Sequence, residues 1–77
     1  MKYRILPLSY IGKYCKNYRQ KNTGALQTNV AIDTGYSLEN VSAFERGLND
    51  NMRIFLWYLT NGLDIQEMLK GEFDNEL

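Results

Sequence analysis

Histidine is absent from this chain, cysteine and proline occur once each, and no apolar run approaches the length of a bilayer span. Each of these gaps excludes something. Cys15 has no second cysteine to pair with in the chain, and one lone thiol suits a reducing compartment. Without histidine, and with no carboxylates at ligand spacing around Cys15, no metal is expected and no cofactor is called for. No nucleophile is paired with a base and no glycine loop is suited to cradle phosphates, so an enzyme is not expected either. The opening Met1-Lys2-Tyr3-Arg4-Ile5-Leu6-Pro7-Leu8 is basic and then briefly apolar before proline closes it. That is too short for a signal-peptide core, which leads us to expect a soluble, cytoplasmic protein with no membrane partner.

Acid is missing too, but only from one half. Residues 1–32 hold six basic side chains (Lys2, Arg4, Lys13, Lys16, Arg19 and Lys21) and no acid, whereas residues 33–77 hold nine acids against Arg46, Arg53 and Lys70. The formal charge is zero, yet the halves carry roughly +6 and −6. Such a split suggests a polar partner or electrostatically guided self-association, or else two halves that neutralise each other across one core.

What is present is helical period. At 77 residues the chain makes one domain with a modest core. Apolar residues recur at three and four, and five helices are expected with no sheet. Ser9 is expected to cap a first helix with Ile11, Tyr14, Cys15 and Tyr18 inward, ended by the Lys21-Asn22-Thr23-Gly24 turn cluster. A second should run from about Ala25 to Thr34, burying Leu26, Val30 and Ala31, with Gly35 as its exit. Ser37 should cap a third, turning Val41 and Phe44 inward and Leu38, Glu39, Asn40 and Ala43 outward, up to Gly47. After the polar link Leu48-Asn49-Asp50-Asn51, a fourth carries Met52, Ile54, Phe55, Leu56, Trp57, Tyr58 and Leu59, apolar nearly all round. It should be the most buried element or offer a face to a partner. Asp64 should cap a fifth, with Ile65, Met68 and Leu69 inward and Gly71 as its stop. The expected core combines Tyr14, Cys15, Tyr18, Val30, Ala31, Val41, Phe44, Phe55, Leu59 and Leu69. Residues 1–8 read as an N-terminal arm, 9–71 as the domain and 72–77 as an acidic C-terminal tail that should fray.

The order short helix, glycine turn, capped helix, glycine exit matches a helix-turn-helix unit. Four stretches carry a more specific resemblance. Ile11-Gly12-Lys13-Tyr14-Cys15-Lys16-Asn17-Tyr18-Arg19 resembles the first helix of the Cro/CI-type, phage-repressor-like DNA-binding domains. The run Gln27-Thr28-Asn29-Val30-Ala31-Ile32-Asp33-Thr34-Gly35-Tyr36-Ser37 resembles that family's second helix and turn. Val41-Ser42-Ala43-Phe44-Glu45-Arg46-Gly47 resembles the end of its recognition helix, and Gly62-Leu63-Asp64-Ile65-Gln66-Glu67-Met68-Leu69 its closing helix. The pieces occur in the family's order and cover roughly residues 9–71. The resemblance implies an all-α, five-helix lambda-repressor-like domain. It also implies an ion pair between Arg19 and Glu45.

It further implies a double-stranded DNA partner and a homodimer, because one such module buries little DNA surface. Gln27 matches a phosphate-contacting position, and Ser37, Leu38, Glu39, Asn40 and Ala43 match the positions of the helix that enters the major groove. Arg46, Asn49, Asn51 and Arg53 are candidate phosphate contacts, and Lys2 and Arg4 a basic arm. The chain departs from pattern at Leu38 and Glu39, where hydrogen-bond donors to base edges are usual. The leading expectation is a sequence-specific transcriptional regulator, of repressor or Cro-like type from a phage or mobile element. The alternative is a protein-binding helix-turn-helix domain, such as an antirepressor, adaptor or inhibitor of a host factor. Its contact would be the acidic third-helix face or the Trp57 helix.

Overall fold

The computed structural model describes residues 3–74, which form five α-helices and no strand. Helix α1 spans Leu8–Tyr18, with its cap two residues before the expected Ser9. Pro7 holds the cap position, and its carbonyl accepts from the Tyr10 and Ile11 N–H groups at 3.1 Å each. Ser9 lies inside the helix because the α1 start is docked on the exit of the third helix. A Cβ on Gly47 would sit 2.5 Å from the Ser9 Cα.

Helix α1 widens into a π-helical turn over Arg19–Thr23 before Gly24, at φ +68°, ends it. The Thr23 hydroxyl donates to the Arg19 carbonyl at 2.7 Å and accepts from the Ala25 N–H at 3.0 Å, closing the turn. Helix α2 spans Gln27–Thr34, α3 spans Leu38–Glu45, α4 spans Met52–Thr60 and α5 spans Ile65–Asp74. The expected Ser37 and Asp64 caps are in place, and Asn51 of the polar link caps α4. Ser37 Oγ accepts from the Asn40 N–H, Asn51 Oδ1 from the Ile54 N–H and Asp64 Oδ1 from the Gln66 N–H.

Helix α5 runs past Gly71, which keeps a helical backbone and stops nothing. The small residue serves packing instead: a Cβ there would come within 3.1 Å of the Tyr10 hydroxyl, which donates to the Met68 carbonyl at 2.7 Å.

The buried core is Leu6, Cys15, Val30, Val41, Phe44, Ile54, Trp57, Tyr58, Leu63 and Met68. Tyr14, Tyr18, Ala31, Phe55, Leu59 and Leu69, expected within it, are half-buried around its margin. Two further expectations fail on burial. Leu26 is 65% exposed, because α2 starts after it at Gln27. Ile65 is 41% exposed at the first position of α5. Leu6 is buried, so the arm is pinned to the core one residue before Pro7. Helix α4 is sided rather than apolar all round: Ile54, Trp57 and Tyr58 are buried while Met52 and Leu56 are exposed.

Helix α1 crosses α3 at Gly12, where a Cβ would lie 2.4 Å from the Phe44 carbonyl oxygen and 2.7 Å from that of Glu45. Only glycine permits this approach, which sets the position of the α3 C-terminus. Among the described residues, no helix is long and apolar enough to cross a membrane.

Candidate nucleic-acid interface

Helices α2 and α3 form a short, tight pair joined by Gly35, at φ +80°, Tyr36 and the extended Ser37. The α2 start has a leucine where a capping side chain is usual. Asn29 compensates from inside the helix, its Oδ1 accepting from the Leu26 N–H at 2.8 Å. At the other end the Thr34 hydroxyl folds back onto the Val30 carbonyl at 2.8 Å. The first turn of α3 then emerges with Ser37, Leu38, Glu39 and Asn40 all exposed, and Ala43 half-buried behind them. Glu39 lies in that first turn, where the helix dipole favours a negative charge by about 0.3–1 kcal/mol.

The other end of α3 is fixed by one carboxylate. Glu45 accepts from Arg19 Nε on Oε2 at 2.8 Å and from Arg19 Nη2 on Oε1 at 2.9 Å, a two-pronged pair with side chains only 7% and 1% exposed. Gln27 Nε2 donates to the same Oε1 at 2.9 Å, and the Tyr58 hydroxyl donates to Oε2. Arg19 Nη1 spends its remaining reach on the Ala25 carbonyl at 2.9 Å.

Burial alone would push the Glu45 carboxyl up, but the hydrogen bonds from Arg19, Gln27 and Tyr58 outweigh it and hold the group below the usual range. The bond to Glu45 raises Arg19 against the opposing effect of burial. Burial, and then the hydrogen bond to Glu45, push the Tyr58 phenol well up. Burial and the nearby Glu45 charge push the Cys15 thiol up to about 12, so Cys15 is a neutral core group.

The remaining candidates divide by what already holds them. Gln27 is half-buried with its amide nitrogen committed to Glu45. Asn49 donates to the Asn40 carbonyl at 3.4 Å and accepts from the Asn51 N–H at 3.2 Å, while Asn51 caps α4. These two asparagines shape the α3–α4 link. Arg53 Nε donates to the Thr34 carbonyl at 2.9 Å, which brings an exposed guanidinium to the α2–α3 turn. Arg46 is exposed at the opposite end of α3 from the first turn. Arg4 lines a shallow groove with Leu6, Ile65, Met68 and Leu69, on the α5 side of the molecule. Lys2 lies outside the described residues.

Trp57, offered above as a contact residue, is buried, and its indole N–H donates to Asp33 Oδ2 at 2.9 Å. Sequence reasoning missed this bond, as it missed the parts played by Gln27 and Tyr58 at Glu45. The signal for the aromatic pair was available: a tyrosine or tryptophan in the most apolar helix needs a partner for its polar atom. Arg53 thus reaches the α2–α3 turn that leads into the exposed first turn of α3, while the Glu45 network fixes the opposite end of that helix. Compared with models of known families, with curated proteins and with solved structures, the chain matches none of them.

Proposed function

We propose that this chain is a sequence-specific DNA-binding regulator of the Cro/CI, lambda-repressor-like type, with α2 and α3 as its helix-turn-helix unit and α3 as the helix that enters the major groove. One observation carries the reading. Helix α3 is anchored at its C-terminus by Glu45 while its N-terminal turn, Ser37 to Asn40, is bare. A reading helix needs that combination, because discrimination between bases requires side chains held in fixed register. In this reading Asn40 is the amide that addresses a base edge, Leu38 meets a thymine methyl, and Glu39 accepts from a cytosine amino group. Arg53 and Arg46 contact phosphates on either side. A homodimer supplies the second half-site, and exposed Ile5, Met52 and Ile65 supply apolar surface for self-association.

The test is selection of bound duplexes from a random pool, followed by titration of wild type and two Glu39 variants on selected and scrambled sites. With Glu39 as a reader, Glu39→Ala relaxes preference at one base pair by about 1–3 kcal/mol. Tighter binding of Glu39→Gln to every sequence alike would mark Glu39 as a charge repelled by the phosphates and not a reader. No enriched sequence in the pool would overturn the proposal.

A second reading rests on Leu26, Ile32, Tyr36 and Leu38, which are 65%, 77%, 39% and 46% exposed on the α2–α3 unit beside Asp33 and Glu39. Exposed apolar groups adjoining two carboxylates in the chain fit a basic protein partner better than a phosphate backbone. Under this reading Glu39→Lys abolishes a stoichiometric protein complex, and no duplex is enriched.

A further inference from the structure

The α3 surface is not where most of the free positive charge lies. Helix α1 and the π-helical turn after it present a stripe formed by Lys13, Lys16, Asn17, Gln20 and Lys21, every member exposed. Helical spacing explains the stripe: residues 13, 16, 17 and 20 share one side of the helix, opposite Cys15, which is buried. No acid occurs on α1 or the turn, and no carboxylate among the described residues is paired with any of the three lysines. Glu45, which reaches the turn, is buried and committed to Arg19. Asp64 and Glu67 at the start of α5 act on Tyr14, which with Tyr18 borders the stripe beside Asn17 and Lys21.

We propose that this stripe is a second polyanion-binding surface, which takes the phosphate backbone of duplex nucleic acid without regard to sequence. Its length fits. Lys13 to Lys21 covers roughly 12 Å at about 1.5 Å per residue, which matches three to four base-pair rises of about 3.4 Å along one strand. Three ammonium groups can therefore reach phosphates within one such stretch. Its composition separates this partner from others. The stripe has no exposed apolar side chain, so it lacks the anchors that fill the core of a protein interface, where lysine is depleted. A membrane surface is disfavoured for the same reason, since an interfacial helix inserts an apolar face and the apolar face of α1 is already packed in the core. The proposal does not rest on base reading by α3.

The experiment compares wild type with the triple variant Lys13→Gln, Lys16→Gln, Lys21→Gln, and with Lys70→Gln on α5 as an off-stripe control. Glutamine keeps the helix propensity of lysine, and thermal melting checks that each variant is folded. Affinity for random-sequence duplex is measured from 50 to 200 mM salt. Three phosphate contacts contribute a log–log slope of about −2.7, or roughly 40-fold in affinity across that range. We expect the triple variant to lose that share of the slope on every duplex alike, and Lys70→Gln to keep it. An unchanged slope in the triple variant, or no salt-dependent binding by wild type, overturns the proposal. The two readings fail separately. Binding that depends on the lysines but shows no preference among sequences upholds the stripe and removes the α3 reading. Selective binding that ignores the lysines does the reverse.

Discussion

The two ends of α3 differ as much as any two regions of this molecule, though the helix is only eight residues long. At the C-terminal end a carboxylate sits buried next to helix carbonyls, where the dipole opposes it, and is made tolerable by Arg19, Gln27 and Tyr58. At the N-terminal end Glu39 sits where the dipole welcomes it and has solvent around it. One glutamate holds the fold and the other is available for contact. Burial, not residue type, separates their roles.

The largest expected effect tests the anchored end. Arg19→Met or Glu45→Gln leaves a buried charge without its partner and should lower stability by about 3–5 kcal/mol. A double-mutant cycle in chemical denaturation measures the coupling, and a value near zero would erase the contrast between the two ends.

Gly12→Ala comes next. Its methyl meets the backbone carbonyls of Phe44 and Glu45, which cannot rotate away, so the cost should be about 1–3 kcal/mol or more despite alanine's better helix propensity. A melting temperature at or above that of wild type would mean that α1 and α3 can separate without loss.

Proton linkage sharpens the comparison further. Glu45 titrates lower in the folded chain than unfolded, so the unfolded chain binds more protons through that window. The contribution of Glu45 is present above about pH 4.3 and is lost as pH falls through the folded value. Cys15 has the opposite sign. Its folded value is raised to about 12, so its contribution is full below about pH 8.5 and declines by about 1.4 kcal/mol per pH unit above that. Stability measured from pH 8.5 to 10 should therefore fall in wild type and fall less in Cys15→Ala. Equal slopes in the two proteins would show that the thiol is not held neutral.

The smallest effect belongs to the free end. Ser37→Ala removes the Asn40 cap and should cost about 1 kcal/mol. Its coupling to Glu45→Gln should be within experimental error, because the two sites share no partner.

Much of this was legible in the chain itself. Apolar spacing marks the five helices, and Ser37 and Asp64 mark two starts because their side chains accept hydrogen bonds that leucine or alanine cannot. What was not legible depends on neighbours distant in sequence. Ser9 is a fair capping residue, but the docking of α1 on Gly47 decides where the helix begins. Gly71 reads as a stop until Tyr10 is found against it. The positions of the candidate interface were legible as an exposed first turn of α3. The commitment of Asn49, Asn51 and the Gln27 amide nitrogen to structural bonds was not, because no local pattern distinguishes an amide that caps from one that waits for a ligand.

The four-way bond at Glu45 has a consequence for how the chain assembles. Its partners come from the π-helical turn, from the first residue of α2 and from α4, while the carboxylate itself ends α3. Any intermediate with one of these segments undocked must either bury an underpaired charge or open that region to water. Partial structures are penalised from every direction, so folding should be all-or-none and no fragment lacking α4 should persist as a native-like subdomain.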